Sequence, residues 1–334
     1  MIPLLLAGIV FMAGPEWAEG DPEKVLASGT KRPLLVYVHA AWCGPCNQLE
    51  FDILATDKRH RLLEKAGGVM VDFDQPVGQR VTAKYRVLNL PTLLILDAKG
   101  QETGRVEGYS GEESWLSAVK TAMAGEQAIA ILEQRLAEAP GDLDAQLRLA
   151  QARLAQGDIE PAKQALEVLM AKTGTIGGRA ARVWGRYLVR VLKDGRRGST
   201  HYAAMEKRFK DTEFRSEFLY WNAQAIALQG DMKRALALFD EWALRDPRGM
   251  DPLLSKAAFM VRHDVPADDI SGVIITALSL DDEDAYAHYL LAEVRLRQGD
   301  RKNSMRAIQR AMKLKPRRAL YRNFARRRLG MSVK

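Results

Sequence analysis

Cysteine is scarce in this sequence, which holds only Cys43 and Cys46 among its 334 residues. A disulfide-rich scaffold is excluded, because such scaffolds carry many cysteines in a short chain. A structural zinc site would need a second pair of ligands, and a c-type haem site would need histidine where Asn47 stands. A purely structural disulfide would close too short a loop to add much stability. The five histidines show no metal-ligand spacing: His39, His60, His201, His263 and His288.

Long apolar runs are also lacking, apart from one at the N-terminus. Residues Ile2 to Gly14 are uncharged and mostly apolar, which is the length of a signal-peptide core and too short to cross a bilayer. No basic stretch precedes this run, and Ala18 is only a fair cleavage residue. We expect residues 1–19 to be a signal peptide and the protein to be periplasmic or secreted. The alternative is a cytoplasmic chain whose first strand is apolar.

Acidic residues are missing from the C-terminal end. Residues 301–334 contain 13 Lys and Arg and no Asp or Glu, within a chain of net charge +8. Because no aromatic stacking platform or known motif accompanies these charges, nucleic-acid binding is not expected. The pattern favours a solvated basic helix that caps the chain, with an anionic membrane surface as a second use.

Two kinds of periodicity divide the chain. Between residues 20 and 125, "LLVYVHA", "GVMVDFD" and the hairpin "TLLILDAKGQETGRVEGY" predict strands, and helical segments separate them. From Glu126 onward strand signals vanish and helices of 12–16 residues follow one another. The sequence therefore predicts an α/β domain over 20–125 and an all-α region over 126–334.

The all-α region repeats itself. Gln-Gly-Asp occurs three times, around Gly157, Gly230 and Gly299, at spacings of 73 and 69 residues. These spacings are about twice the ~34-residue tetratricopeptide period. Small, large and proline positions of that motif are filled in the last two units by Ala235, Phe239, Trp242, Pro247, Ala292, Ser304, Ile308, Ala311 and Pro316.

The region thus resembles tetratricopeptide repeats, with three recognisable units and two degenerate ones between them. The resemblance implies a solenoid with a concave groove that takes a protein or peptide partner. The segment "RRALYRNFARRRLG" would be its capping helix, with its core side formed by Leu320, Tyr321, Phe324 and Leu329.

The cysteines lie in Cys43-Gly44-Pro45-Cys46, between a buried strand and a helix. At a helix start, unpaired N–H groups and the helix dipole lower a thiol pKa and raise its thiolate fraction. Pro45 is tolerated in the first turn. This context predicts that Cys43 is the nucleophile and that Cys46, one turn inside, resolves the mixed disulfide.

The motif "WCGPC" and the later "LNLPTLLIL" together resemble the thioredoxin superfamily over about residues 20–125. The resemblance implies a thioredoxin fold, a cis peptide bond before Pro91, and a redox-active Cys43–Cys46 disulfide without metal or other cofactor. It places the substrate-contacting surface at Trp42, Gly44, Pro45, Leu90 and Pro91.

Two buried residues of thioredoxins are replaced. Tyr37 stands where an aspartate is usual, and Met70 where a lysine is usual. Glu50 follows Cys46 by four residues and Cys43 by seven, so it shares a helix face with both sulfurs. "CNQLE" is similar to the periplasmic thioredoxin-like domain of transmembrane disulfide reductases, where a glutamate holds this place. Glu50 is either a catalytic acid or an ordinary exposed one, and His39 either tunes Cys43 or is simply packed.

The combined resemblance implies a thiol–disulfide oxidoreductase that reduces or isomerises protein disulfides, with a thiol as electron donor and the repeats recruiting the client. The Gly-Pro centre is similar to that of reducing members. The alternative is a redox-linked holdase or assembly scaffold in which the repeats do the main work. Chaperedoxins, which fuse thioredoxin to tetratricopeptide repeats, resemble this architecture.

Overall fold

The computed structural model describes residues 17–29, 32–56, 66–124 and 128–332. Most of the expected signal peptide lies outside the described residues, as do the segment 57–65 and the junction 125–127. In the described part of the chain, none of the helices combines the length and apolarity that crossing a membrane requires.

The α/β domain forms one five-stranded mixed sheet. Its strands are β1 (Ala18–Glu19), β2 (Leu34–His39), β3 (Gly67–Asp72), β4 (Thr92–Leu96) and β5 (Glu102–Glu107), in the spatial order β1-β3-β2-β4-β5. β3 runs parallel to β1 and β2, whereas β4 is antiparallel to both β2 and β5. The helices are α1 (Pro22–Ala27), α2 (Gly44–Leu49, continued by a π-helical turn at Glu50–Leu54), α3 (Pro76–Lys84) and α4 (Glu112–Met123).

The sheet is buried on both faces, because helices cover each side. On strand β2 the alternate residues Leu35 and Tyr37 pack under α2 and α4, against Leu49 and Trp115. The intervening Leu34, Val36 and Val38 form the core of the opposite face. This alternation explains why "LLVYVH" is apolar without interruption, as expected for a strand covered on both faces. The predicted thioredoxin fold is confirmed.

The remaining chain is helical, as predicted. After α5 (Ala128–Glu138) come five antiparallel pairs: α6 (Leu143–Gln156) with α7 (Ile159–Met170), α8 (Gly174–Arg186, with a π-helical turn at Tyr187–Val191) with α9 (Gly195–Arg208), α10 (Phe214–Ala227) with α11 (Met232–Arg245), α12 (Asp251–Arg262) with α13 (Ala267–Leu280), and α14 (Ala285–Arg297) with α15 (Arg301–Leu314). Helix α16 (Ala319–Leu329) ends the described array. Pairs two and four are the two degenerate units.

The Gln-Gly-Asp turns explain how each recognisable pair closes. Gly157, Gly230 and Gly299 have φ values of 92°, 82° and 78°, a left-handed conformation that suits glycine. In the last two cases the following aspartate caps the next helix: Asp231 accepts from the Arg234 N–H, and Asp300 from the Asn303 N–H. In the repeated tripeptide, the glycine therefore ends one helix and the aspartate begins the next.

The two regions share a core. Leu88, in the loop before Pro91, is fully buried among repeat residues that include Leu147, Leu154 and Trp184. Arg190 donates to the Leu88 carbonyl at 2.8 Å, and Arg186 donates to Asn89 Oδ1 at 2.7 Å. The first helices of the pairs thus face the α/β domain, and part of the expected groove holds the chain's own domain.

Helix α16 packs against α2, the helix that carries the cysteines. Asn323 donates to Asn47 Oδ1 at 3.0 Å, and Arg327 lies 2.7 Å from Glu50 Oε2. The side expected to face the core is buried, at Leu320, Tyr321, Phe324 and Leu329. The opposite side is not merely a solvated basic face, because part of it contacts the cysteine helix.

Candidate active site

The two cysteines are joined as a disulfide at the start of α2. Cys43 is the N-cap residue, and its sulfur accepts the Cys46 N–H at 3.2 Å. Both sit in a small apolar cluster with Ala40, bordered by Trp42, Phe73 and Leu90. The helix start and the proline at its first turn therefore hold the pair at one end of the sheet, where a strand–helix junction brings it to the edge of the domain.

The loop before β4 lies beside this pair. The Leu90–Pro91 peptide bond is cis. Pro91 is buried and its carbonyl accepts the Gly108 N–H at 2.7 Å, whereas Leu90 is half-buried and borders the cysteine cluster. Asn89 donates to Glu107 Oε2 at 3.0 Å while accepting from Arg186. The repeats thereby help to hold the loop that the sequence assigned to substrate contact.

Trp42 is fixed on two sides. Its indole N–H donates to Asp74 Oδ2 at 2.7 Å, and the Arg262 guanidinium lies 3.8 Å from its ring centroid. Asp74 comes from the end of β3, and Arg262 from the last turn of α12. Gly44 is half-buried, with Arg318 near it: a Cβ there would come 3.3 Å from Arg318 Nη2. Pro45 is exposed.

Glu50 is buried, with only 2% of its surface exposed, so the exposed-acid alternative is wrong. Its Oε2 pairs with Arg327 at 2.7 Å and its Oε1 lies 3.5 Å from His39 Nδ1. Burial raises the pKa of Glu50, and the nearby Arg327 opposes that rise. The carboxyl is therefore shielded from solvent, on the helix face that carries both cysteines.

Two further side chains complete this environment. Burial lowers the pKa of His39 to about 4, with Asp72 opposing the change, so its imidazole is neutral at neutral pH. His39 stacks on Tyr37 with ring centroids 5.2 Å apart. Burial also raises the pKa of Tyr37, whose hydroxyl donates to the Cys46 carbonyl at 3.2 Å. Tyr37 thus takes the place of the buried aspartate as a neutral hydrogen-bond donor.

The cysteine pair is covered. Cys43 is 4% exposed and Cys46 is fully buried. Side chains of the repeat region contact the residues around the pair, namely Phe73, Trp42, Gly44, Asn47 and Glu50; these side chains are Arg190, Arg262, Arg318, Asn323 and Arg327. Sequence reasoning did not find these residues as part of the site. For Arg318, Asn323 and Arg327, the sequence signal is the absence of acidic residues from 301–334. That signal does not indicate where the C-terminal helix packs.

Comparisons with known proteins agree with this geometry. A family model described as a thioredoxin-like domain matches residues 21–122, and a tetratricopeptide repeat model matches residues 124–176. A thioredoxin-like protein of Synechocystis is 35% identical over 83 residues, which are 25% of this chain and 74% of that protein. A thioredoxin of Echinococcus granulosus is 37% identical over 90 residues, covering 27% of this chain and 78% of the relative.

A second group of relatives consists of thiol:disulfide interchange proteins. The thiol:disulfide interchange protein DsbD of Yersinia pestis is 28% identical over 139 residues. The match covers 34% of this chain and only 23% of that protein, so this chain spans about a quarter of the relative's length.

Proposed function

The chain belongs to the thioredoxin family through its N-terminal domain, and from that premise we propose that it is a thiol–disulfide oxidoreductase acting on protein disulfides, as a reductase or isomerase. The observation that carries the proposal is the bonded Cys43–Cys46 pair at the start of α2, beside the cis peptide bond before Pro91. Such a position favours the thiolate of the first cysteine once the pair is reduced.

The proposed reaction has two exchanges. The Cys43 thiolate attacks a substrate disulfide, forms a mixed disulfide, and releases one substrate sulfur, which takes up a proton. Cys46 then loses its proton and attacks the Cys43 sulfur, which forms the Cys43–Cys46 bond and releases the second substrate thiol. The substrate gains two electrons and the cysteine pair loses two. An external thiol donor returns the pair to the reduced form.

Glu50 is proposed as the group that takes the Cys46 proton. It lies one helical turn after Cys46, and its raised pKa brings it nearer to neutral pH, where a general base works well. Arg327 holds the carboxyl in place through its pairing with Oε2. In this proposal Arg327 is a positioning residue supplied by the last helix.

Substitution of each cysteine tests the proposal. Cys43→Ser in the full chain should abolish reduction of insulin, whereas Cys46→Ser should accumulate a mixed disulfide on Cys43 that mass spectrometry detects. In the reduced protein Cys43 should be alkylated before Cys46, because Cys46 is fully buried. Insulin reduction by Cys43→Ser at the wild-type rate, or alkylation of Cys46 first, would refute these roles.

The client and the compartment are proposals of the same kind. The repeats are proposed to recruit a protein client, and the apolar leader supports activity in the periplasm or outside the cell. A cytoplasmic location is the alternative. Because Cys43 is only 4% exposed, a client would present an extended disulfide-bearing segment rather than a folded surface.

A holdase or scaffold is the second candidate function. Apolar side chains are exposed on the second helices of three pairs, at Val168, Leu244 and Ile275. A holdase would use these separate apolar side chains as individual contact points for an unfolded chain. The double variant Cys43→Ser/Cys46→Ser should discriminate: if it suppresses aggregation of a denatured reporter as well as wild type and fully restores cellular function, the scaffold role is the main one.

A further inference from the structure

A cavity of about 160 Å³ lies at the junction of the two regions, next to Trp42. From the α/β domain it is lined by Trp42, Phe73, Asp74 and Gln79, and from the repeats by Val189, Arg190, Lys193, Trp221, Gln224, Leu228 and Arg262. Trp42 and Phe73 also border the cysteine cluster. The cavity is far larger than the ~10–15 Å³ that one water molecule needs.

The lining carries more positive than negative charge. Three cations, Arg190, Lys193 and Arg262, face one carboxylate, Asp74. That carboxylate already accepts the Trp42 indole N–H at 2.7 Å. Arg190 is buried, and burial lowers its pKa to about 9, whereas Arg262 is half-buried and Lys193 is exposed and donates to Gln79 Oε1.

Two of the guanidinium groups have unused donors. The Nε atoms of Arg190 and Arg262 are buried and have no acceptor among the described residues. Arg190 is 6% exposed, and its Nη1 is committed to the Leu88 carbonyl. Arg262 Nη1 donates to the Tyr220 hydroxyl. A buried donor without a partner costs free energy, and such groups in a native protein call for a ligand or an ordered water.

We propose that this cavity binds a carboxylate carried by the molecule whose disulfide is reduced, with Arg190, Arg262 and Lys193 as its partners. A carboxylate oxygen accepts from guanidinium N–H groups in favourable geometry and supplies the missing negative charge. The apolar remainder of the ligand packs on Trp42, Phe73 and Trp221. The inference rests on the proposed function, since it assigns the cavity to substrate recognition.

The proposed carboxylate is an acidic side chain of the protein client, and a small free acid is the alternative ligand that the experiment must separate from it. Glutarate is the probe for binding itself. Titrated into the full-length oxidised protein, it should cause a saturable change in tryptophan fluorescence, because Trp42 and Trp221 line the cavity. Lys193→Gln and Arg262→Gln should each raise the Kd for glutarate at least about ten-fold, which is the loss of affinity expected when a hydrogen bond to a charged group is removed.

Arg248→Gln is the matched control, because Arg248 is exposed and outside the cavity while the change in net charge is the same. Arg262 stacks on Trp42, so its loss could change the fluorescence signal directly. Lys193→Gln tests the same cavity without removing that stacking contact. Absence of saturable binding, or equal weakening by Arg248→Gln, would overturn the proposal.

Two disulfide-bonded peptides that differ only in Glu or Gln beside the cysteine identify the source. A client-borne carboxylate predicts that wild type prefers the Glu peptide in kcat/KM and that both cavity variants bring the ratio towards one. Glutarate binding with a wild-type ratio of one would overturn the assignment to substrate recognition and would leave a site for a small free acid. Glutarate binding by a protein that reduces neither peptide would refute the proposed function and leave the carboxylate site standing.

Discussion

The α/β domain and the repeat array are built by different kinds of contact. In the domain, β2 pairs with β3 and β4, whose residues come more than thirty positions later, so its core forms only when distant segments meet. In the array, each helix packs mainly on its sequence neighbours, as in the cluster of Leu219, Ala235 and Phe239. A stacked array of this type is stabilised by units and by neighbouring interfaces.

The candidate active site is built from both regions. The cysteine pair and its helix are a local construction, whereas Glu50, Trp42 and the Pro91 loop are held by side chains of the array. Leu88 even belongs to the array's own core. The reactive motif is thus encoded within a few residues, whereas its environment is built by both regions.

The largest expected effect tests whether the array is locally stabilised. Phe239 is buried and packs on Phe259 with ring centroids 5.2 Å apart. Phe239→Ala should cost about 3–5 kcal/mol, since it leaves a cavity in a packed core. Hydrogen exchange should speed up in α10 to α12 and remain slow in the sheet.

Leu244→Ala is the control on the same helix, because Leu244 is 82% exposed and should change exchange little. If Phe239→Ala loosens the sheet as much as α11, the two regions unfold as one unit and the comparison fails.

The next effect concerns Glu50, which lies in the α/β domain and pairs with Arg327 of the array. Glu50→Gln should slow resolution of the mixed disulfide by about 10²-fold or more, because a positioned proton acceptor is lost. Arg327→Met should act through Glu50: removing the cation raises the Glu50 pKa further, so the acidic limb of the pH–rate profile moves to higher pH.

Stopped-flow measurement of resolution against pH gives both results. Arg328→Met removes the same charge from the same helix, but Arg328 lies nearest Glu293, at 3.9 Å, and its profile should match wild type. A shift of equal size in both arginine variants would show that general charge, rather than the Glu50 contact, sets the profile.

The smallest effect concerns acid stability of the α/β domain. His39 has a pKa of about 4 in the folded protein, below the ordinary value of 6.5, because it is buried. Between these values the unfolded chain binds a proton that the folded chain does not, so stability falls as pH decreases from 6.5 towards 4. We expect a loss of ~2 kcal/mol between pH 7.5 and pH 5 from this residue.

Urea unfolding at the two pH values, monitored with a probe on the sheet, measures the loss in the free energy of unfolding. His39→Gln should lose less stability than wild type on acidification. The control His288→Gln changes a half-buried histidine of the array, away from the sheet, and should leave the response of the sheet unchanged. An identical pH response in wild type and His39→Gln would show that His39 is not buried in its neutral form.

Much of the fold could be predicted because its signals are local. Burial on both faces of the sheet follows from the uninterrupted apolar run "LLVYVH", and the left-handed glycines of the Gln-Gly-Asp turns mark where helices end. Even the two degenerate pairs could be placed, because the glycine spacing leaves room for one pair in each gap. Periodicity and turn chemistry act over a few residues, so a single sequence exposes them.

At the site, local sequence is enough to specify the motif, the helix that starts at it, and the spacing that puts Glu50 on the cysteine face. The burial of Glu50 and Cys43, and the pairing of Glu50 with Arg327 from 277 residues away, depend on how the two regions pack. The physical reason is that burial and ion pairing depend on which surfaces meet. Nothing in the spacing of Arg190, Arg262 and Trp42 along the chain indicates that they line one cavity.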